Sequence, residues 1–103
     1  MRTMLKVSMQ VEAGNQSVKD GKLPKIMENA LQTPRPEAAY FFAENGRRTA
    51  MLFFDLKDPS QIPVIAEPFF MGLNAEVQFT PVMNADDLKK GLASVAEQKH
   101  VAV

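Results

Sequence analysis

Residues 36–56, PEAAYFFAENGRRTAMLFFDL, constrain the fold more than any other stretch of this chain. Asn45-Gly46 lies between two aromatic-rich runs, and these two residue types best tolerate the positive φ angles of a two-residue type I′ turn. The predicted β-hairpin has a definite register, in which Glu44 faces Arg47, Phe42 faces Thr49, Tyr40 faces Met51, and Ala38 faces Phe53. Both hairpin faces are mostly apolar, whereas a hairpin with one face in water alternates apolar and polar residues. We therefore expect both faces to be covered.

The segments on either side of the hairpin predict two further strands and a helix. Met4 to Val11 alternates between apolar and polar residues, as does the stretch from Asn74 to Met83, and each predicts a strand. Asn15 is a suitable cap for a helix with one apolar stripe. Because Gly21 and Pro24 weaken its first half, we expect that helix to kink or to start late, near Lys22.

Two more helices follow the hairpin. Asp58 is a suitable cap for a helix from about Pro59 to Met71, in which Pro68 should produce a bend or a restart. Gly72 is expected to close it. Asn84 caps the last helix, in which Asp86 and Asp87 favour the helix start. Its apolar stripe is expected to be buried against the sheet edge or a partner subunit, and consists of Leu88, Leu92 and Val95.

This order of elements predicts an α+β fold, a ferredoxin-like βαββαβ sandwich with a four-stranded antiparallel sheet and an extra C-terminal helix. The chain of 103 residues forms one domain, with a core over 3–83, the appended helix over 84–97 and a tail over 98–103. Both main helices cover the same sheet face. The other face would leave a large apolar patch in a monomer, so we expect a homodimer through this face.

Composition excludes several classes of function. Twelve basic and twelve acidic residues cancel, which leaves no overall field to gather nucleic acid or an anionic membrane. The third strand also lacks the glycine and aromatic pattern of RNA-recognition modules, so we expect no nucleic-acid partner. Cysteine is absent, which excludes disulfides, thiolate catalysis and cysteine-based metal sites. The polar residues near the start do not fit a signal peptide, and we expect a cytoplasmic protein without a membrane partner.

Two sequence segments resemble those of known proteins. They are the hairpin segment quoted above and residues 67–92, EPFFMGLNAEVQFTPVMNADDLKKGL. They resemble small uncharacterised bacterial proteins of the dimeric α+β barrel superfamily, in which two ferredoxin-like sheets pack face to face. Relatives in that superfamily include quinol monooxygenases, muconolactone isomerases and haem proteins, so the resemblance implies a fold and a dimer but no chemistry. The haem branch uses a histidine ligand, and here the single histidine is His100 in the tail.

The lumen between two such sheets is the candidate site. Polar groups that converge on an aromatic-lined cavity are typical of a small-molecule pocket. The candidate ligand-binding residues are Ser8, Gln10, Tyr40, Thr49, Met51, Phe53, Glu76, Gln78 and Thr80. The leading hypothesis is a homodimer that binds a compact, partly apolar or aromatic molecule in the lumen. The alternative is a solvated or water-filled sheet face on which these residues only hydrogen-bond to one another.

Catalysis has weaker support, because no recognisable catalytic motif occurs in the sequence. Glu76, Lys6 and Tyr40 are candidates for proton transfer in a cofactor-independent monooxygenase- or isomerase-like enzyme, although a Lys–Glu pair across strands is more often structural. A third hypothesis is a protein interaction module without a ligand. We expect no metal and no cofactor, since His100 has no second histidine and the serines lack a nucleophile-elbow context.

Overall fold

A computed structural model describes the backbone of residues 1–101 and the side chains of residues 1–98. His100, which the sequence places in the tail, lies outside the described side chains. The described part contains four strands and four helices. In chain order they are β1 (Arg2–Met9), α1 (Val11–Lys19), α2 (Lys22–Gln32), β2 (Ala38–Glu44), β3 (Arg47–Asp55), α3 (Gln61–Leu73), β4 (Ala75–Pro81) and α4 (Ala85–Val101).

The four strands form one antiparallel sheet in the order β2-β3-β1-β4. This α+β architecture is compatible with the predicted ferredoxin-like fold. The predicted hairpin register is confirmed from Ala38↔Phe53 through to Glu44↔Arg47. Asn45 and Gly46 have φ angles of 54° and 76°, as the type I′ turn requires. The turn residues therefore set which side chains of β2 and β3 share a face.

Alternation along β1 divides the sheet into two different faces. Thr3, Leu5, Val7 and Met9 are buried, whereas the residues between them are partly exposed. Helices α2 and α3 pack on the buried face and complete one hydrophobic cluster, which contains Leu5, Val7, Met9, Ala30, Ala50, Leu52, Phe54, Leu56, Ile65, Phe69, Leu73 and Ala75. The opposite face, called the open face below, has no such cover among the described elements.

The first helix differs from its prediction in both start and continuity. β1 ends at Met9, so Val11 belongs to α1 rather than to the strand. Asn15 lies inside α1 and caps nothing; its side-chain oxygen accepts a hydrogen bond from Arg48 at 3.0 Å. Gly21 has a φ of 79° and separates α1 from α2, so two helices meet where the sequence predicts a kink or a late start in one. The early start has no local cap, because Gln10, the residue before α1, makes no side-chain cap hydrogen bond.

Helix α3 begins at Gln61 and ends at Leu73, so each end lies two residues later than the predicted bounds of Pro59 and Met71. The Asp58 carboxylate accepts hydrogen bonds from the amide and hydroxyl of Ser60, at 2.8 and 2.6 Å, which lowers the pKa of Asp58. The Gln61 side chain accepts from the amide of Asp58, as in a capping box. Pro68 lies inside one continuous helix, so the predicted restart is wrong.

The end of α3 is set by Asn74 and not by Gly72. Asn74 adopts the left-handed conformation, with φ 48°, and closes the helix. Gly72 lies inside α3, where a Cβ atom would come within 2.6 Å of the Ile26 side chain of α2. The glycine therefore permits close packing of two helices rather than a helix end.

Helix α4 starts as predicted, but its apolar stripe is not buried. Asn84 and Asp87 each accept a hydrogen bond from the other's backbone amide, at 2.8 and 3.1 Å, in a reciprocal cap. The stripe residues Leu88, Leu92 and Val95 are 48%, 59% and 57% exposed. The prediction that they pack on the sheet edge is wrong for the single chain. Packing on a partner subunit stays a prediction.

Substituting Gly46 tests the turn. Gly46→Ala should destabilise the fold by about 1–2 kcal/mol, because a Cβ is disfavoured at the left-handed φ of 76°. Ser94→Ala is the control: Ser94 is exposed on α4, outside its apolar stripe, and alanine is a better helix former, so the change should be neutral or stabilising. Urea unfolding followed by circular dichroism gives both values. Equal effects of the two substitutions would contradict the assigned turn.

Candidate functional site

The open face carries a regular grid of side chains, because antiparallel register aligns every second residue of all four strands. Across β2, β3, β1 and β4 its three rows are Ala38-Phe53-Met4-Thr80, Tyr40-Met51-Lys6-Gln78, and Phe42-Thr49-Ser8-Glu76. The β2 and β3 side of the grid is mainly apolar, and the β4 side is polar. An apolar area and a polar area therefore lie next to each other on one surface.

The apolar area contains an aromatic pair, in which Tyr40 is exposed and Phe53 is partly buried. The rings of Tyr40 and Phe53 meet edge to face, with centroids 6.5 Å apart and planes at 77°. Tyr40 is 61% exposed even though it lies in a strand. Met51, next to Tyr40 in the same row, is partly buried. Large apolar side chains in a contiguous surface patch are typical of an interaction site.

Two ion pairs organise the polar area. The Lys6 ammonium donates to the Glu44 carboxylate at 2.8 Å, and Arg47 lies 3.8 Å from Glu76. Thr49 lies between Lys6 and Glu44 in the sheet register and is only 3% exposed. These charges surround a shallow recess of about 450 Å³, lined by Lys6, Ser8, Glu44, Asn45, Arg47, Glu76 and Gln78. The recess offers both donors and acceptors to a polar group.

The structure brings most of the predicted lumen residues together. Ser8, Thr49, Gln78 and Thr80 occupy grid positions beside the apolar area, as their strand phase predicts. Gln10 does not, because β1 ends at Met9 and Gln10 serves as the N-terminal boundary residue of α1. The prediction for Gln10 assumed that the strand continues to Val11. The wrong strand end therefore explains both the wrong element for Val11 and the wrong position for Gln10.

The three candidates for proton transfer do not contact one another. Lys6 pairs with Glu44 and Glu76 pairs with Arg47, so the Lys6–Glu76 pair considered from the sequence is replaced by two separate pairs. Tyr40 and Lys6 flank Met51 in one row, two strand spacings apart, which is about 9–10 Å. Among the described side chains no hydrogen bond joins Tyr40 to Lys6, whose ammonium donates to Glu44 instead.

Sequence analysis missed a second cleft, at the end of the sheet where β1 begins. Arg2 lies there between two carboxylates, at 3.1 Å from Glu37 and 3.3 Å from Asp87. Arg35 lines the same cleft, which measures about 870 Å³ and has an apolar floor that includes Phe54, Pro81 and Val82. Alternation along β1 could have placed Arg2 on the open face with Met4 and Lys6. Its partners Glu37 and Asp87 are far away in sequence, so the sequence could not have assigned them.

Nearby positive charges lower the pKa of Asp55, one of the carboxylates of this cleft. The N-terminal ammonium of Met1, 2.7 Å away, and then the Lys57 ammonium hold the pKa of Asp55 below its ordinary value. Within the described residues, no group of three or more histidine, aspartate or glutamate side chains is placed to hold a metal ion. Across the same residues, no helix has the length and apolar character needed to cross a bilayer.

Comparison with known proteins adds no relative: no family model, no curated protein and no solved structure matches this chain significantly. The resemblance to dimeric α+β barrel proteins therefore stays a hypothesis. A functional argument for this protein has to come from the open face itself.

The Lys6–Glu44 pair can be measured by a double-mutant cycle with Lys6→Met and Glu44→Gln. We expect a coupling of about 0.5–1 kcal/mol, because both side chains are partly covered, and a smaller value in 1 M salt. The control cycle uses Lys57→Met and Asp55→Asn, a more exposed pair for which a coupling near zero is expected. Equal couplings in the two cycles would show that the open face does not shield its charges.

Proposed function

We propose that this chain forms a homodimer in which two open faces enclose a lumen, and that the lumen binds a compact, partly apolar molecule. The observation that carries the proposal is the grid: aromatic and methionine side chains adjoin hydrogen-bonding groups on a face left uncovered by α1, α2 and α3. A pocket for a small molecule needs this combination. A second copy is the occupant that would cover the apolar area without leaving the polar groups unpaired.

Each area would have its own role. Tyr40, Met51 and Phe53 would provide apolar contact with the ligand and with the partner subunit. Ser8, Gln78 and Thr80 would orient a polar group of the ligand by hydrogen bonds. Lys6 and Glu76 are already engaged in ion pairs, which suits them to shape the polar end of the lumen.

The dimer is tested at Tyr40. We expect the unmodified protein to sediment at about 23 kDa, twice the chain mass of 11.4 kDa, in analytical ultracentrifugation. Tyr40→Glu should give a folded monomer, because two buried like charges would face each other across the interface. Val64→Glu is the control: Val64 is 68% exposed on α3, on the helical side, and its substitution should leave the dimer intact. A monomeric unmodified protein at micromolar concentration would overturn the proposal.

The ligand is tested by a thermal-shift screen of compact aromatic and quinone-like compounds. A lumen ligand should raise the melting temperature of the dimer, since it binds only the folded state. Gln78→Ala should reduce that shift by weakening ligand binding about tenfold, which corresponds to one lost hydrogen bond of about 1.4 kcal/mol. Gln16→Ala, on exposed α1, should leave the shift unchanged.

The same screen separates the competing functions. Turnover of a bound compound that is lost in Glu76→Gln, with binding retained, would favour the enzyme over the simple binder. If no compound in the screen raises the melting temperature of a confirmed dimer, the ligand proposal fails and the interaction module becomes the better hypothesis.

A further inference from the structure

Helix α4 is amphipathic and exposed along its described length. At about 100° per residue, its small and apolar residues span an arc of about 140°. The arc contains Ala85, Leu88, Gly91, Leu92, Val95 and Ala96. Asp86, Lys90 and Glu97 lie on the opposite side. An apolar arc this wide is typical of a helix that packs on a protein surface, yet all of these residues are exposed in the single chain.

Helix α4 begins on the same side of the sheet as the grid. Arg2 precedes Met4 and Lys6 on the open side of β1, and its guanidinium pairs with Asp87 in the first turn of α4. From there α4 runs away from the sheet. The molecule is 60 Å long, which is close to the sum of an eight-residue strand of about 27 Å and a 17-residue helix of about 25 Å. The helix therefore extends the sheet rather than covering it.

The single chain exposes more surface than its mass predicts. An 11.4 kDa monomer should expose about 5,800 Å², and this chain exposes 7287 Å². Its radius of gyration is 17.3 Å, against about 13 Å for a compact chain of this length. The surplus of about 1,500 Å² exceeds the roughly 800 Å² that each partner buries in a standard stable interface.

We propose that α4 is an arm that packs its apolar arc onto a second copy of this chain. The inference rests on the proposed dimer and enlarges its interface. The grid covers only about 19 by 20 Å, a planar footprint of about 400 Å², whereas the arm adds about 250 Å² from a helix 25 Å long and 10 Å wide. Because the arm starts on the open side, a copy docked on that face lies within its reach.

Gly91 gives this proposal a sharp test. The residue lies in the apolar arc and in the middle of α4, where glycine weakens a helix and where nothing in the single chain approaches it. If α4 is free in solution, Gly91→Gln adds a better helix former and should stabilise the helix. If α4 packs closely on a second copy, the new side chain meets the partner and should weaken the dimer. A free α4 and an α4 packed on a second copy therefore predict opposite effects of Gly91→Gln on stability.

The experiment compares Gly91→Gln with Ala93→Gln, which adds the same side chain on the other side of α4. We expect Gly91→Gln to weaken dimerisation at least about tenfold in analytical ultracentrifugation and to lower the melting temperature. Ala93→Gln should change neither. An unchanged or stronger Gly91→Gln dimer means that α4 is free of the second copy and overturns the proposal. A monomer whose melting temperature falls with Gly91→Gln means that α4 covers its own sheet, which also overturns it.

Failure of the arm and failure of the sheet-face dimer give different results. If Tyr40→Glu dissociates the dimer and Gly91→Gln does not, the sheets meet and the arm proposal is wrong. If Gly91→Gln dissociates the dimer and Tyr40→Glu does not, the arm proposal stands and the sheet-face dimer is wrong.

Discussion

The packing of α2 and α3 on one face of the sheet is the interaction on which the rest of this structure depends. It buries Leu5, Leu52, Phe54 and Phe69 almost completely in one continuous cluster. Burial of side chains of this size contributes about 1.5–3 kcal/mol each, so this face dominates the stability of the chain. Because α2 and α3 pack on this face, they do not cover the other one. The side chains of the open face are therefore not part of the hydrophobic core.

The open face combines an apolar area with a polar area whose charged side chains form ion pairs. Its apolar area includes Tyr40 and Phe53, which contact each other edge to face but remain accessible to a partner. Its polar area holds its charges in pairs, which lowers the cost of removing them from water. A face built in this way can be covered by a second copy and still offer hydrogen bonds to a small molecule. That balance is why we favour a ligand-binding dimer over a solvated sheet.

The cleft at Arg2 connects the two proposals physically. Arg2 holds Glu37, which precedes β2, and Asp87, which belongs to α4. One side chain thus joins the entry to the hairpin, the central strand and the start of the arm. All three groups are partly exposed, so each pair contributes little energy, about 0–1 kcal/mol. Arg2 shows where α4 begins, because its ion pair with Asp87 lies at the first turn of that helix.

The amino-acid sequence alone determined the hairpin, its register and the kinds of elements along the chain, because these follow from local rules. Asn45-Gly46 selects one turn, and alternation with a period of two assigns Ser8, Gln78 and Thr80 to the open face. Tertiary structure decided where β1 stops and α1 begins, and this boundary left Asn15 inside the helix and Gln10 outside the site. It also decided the partners of Lys6 and Glu76, because long flexible side chains choose among several charges at similar distances. Local pattern could not give the position of α4 either. An apolar stripe favours a helix that packs on another surface, but only the three-dimensional structure shows that this stripe is exposed in the single chain.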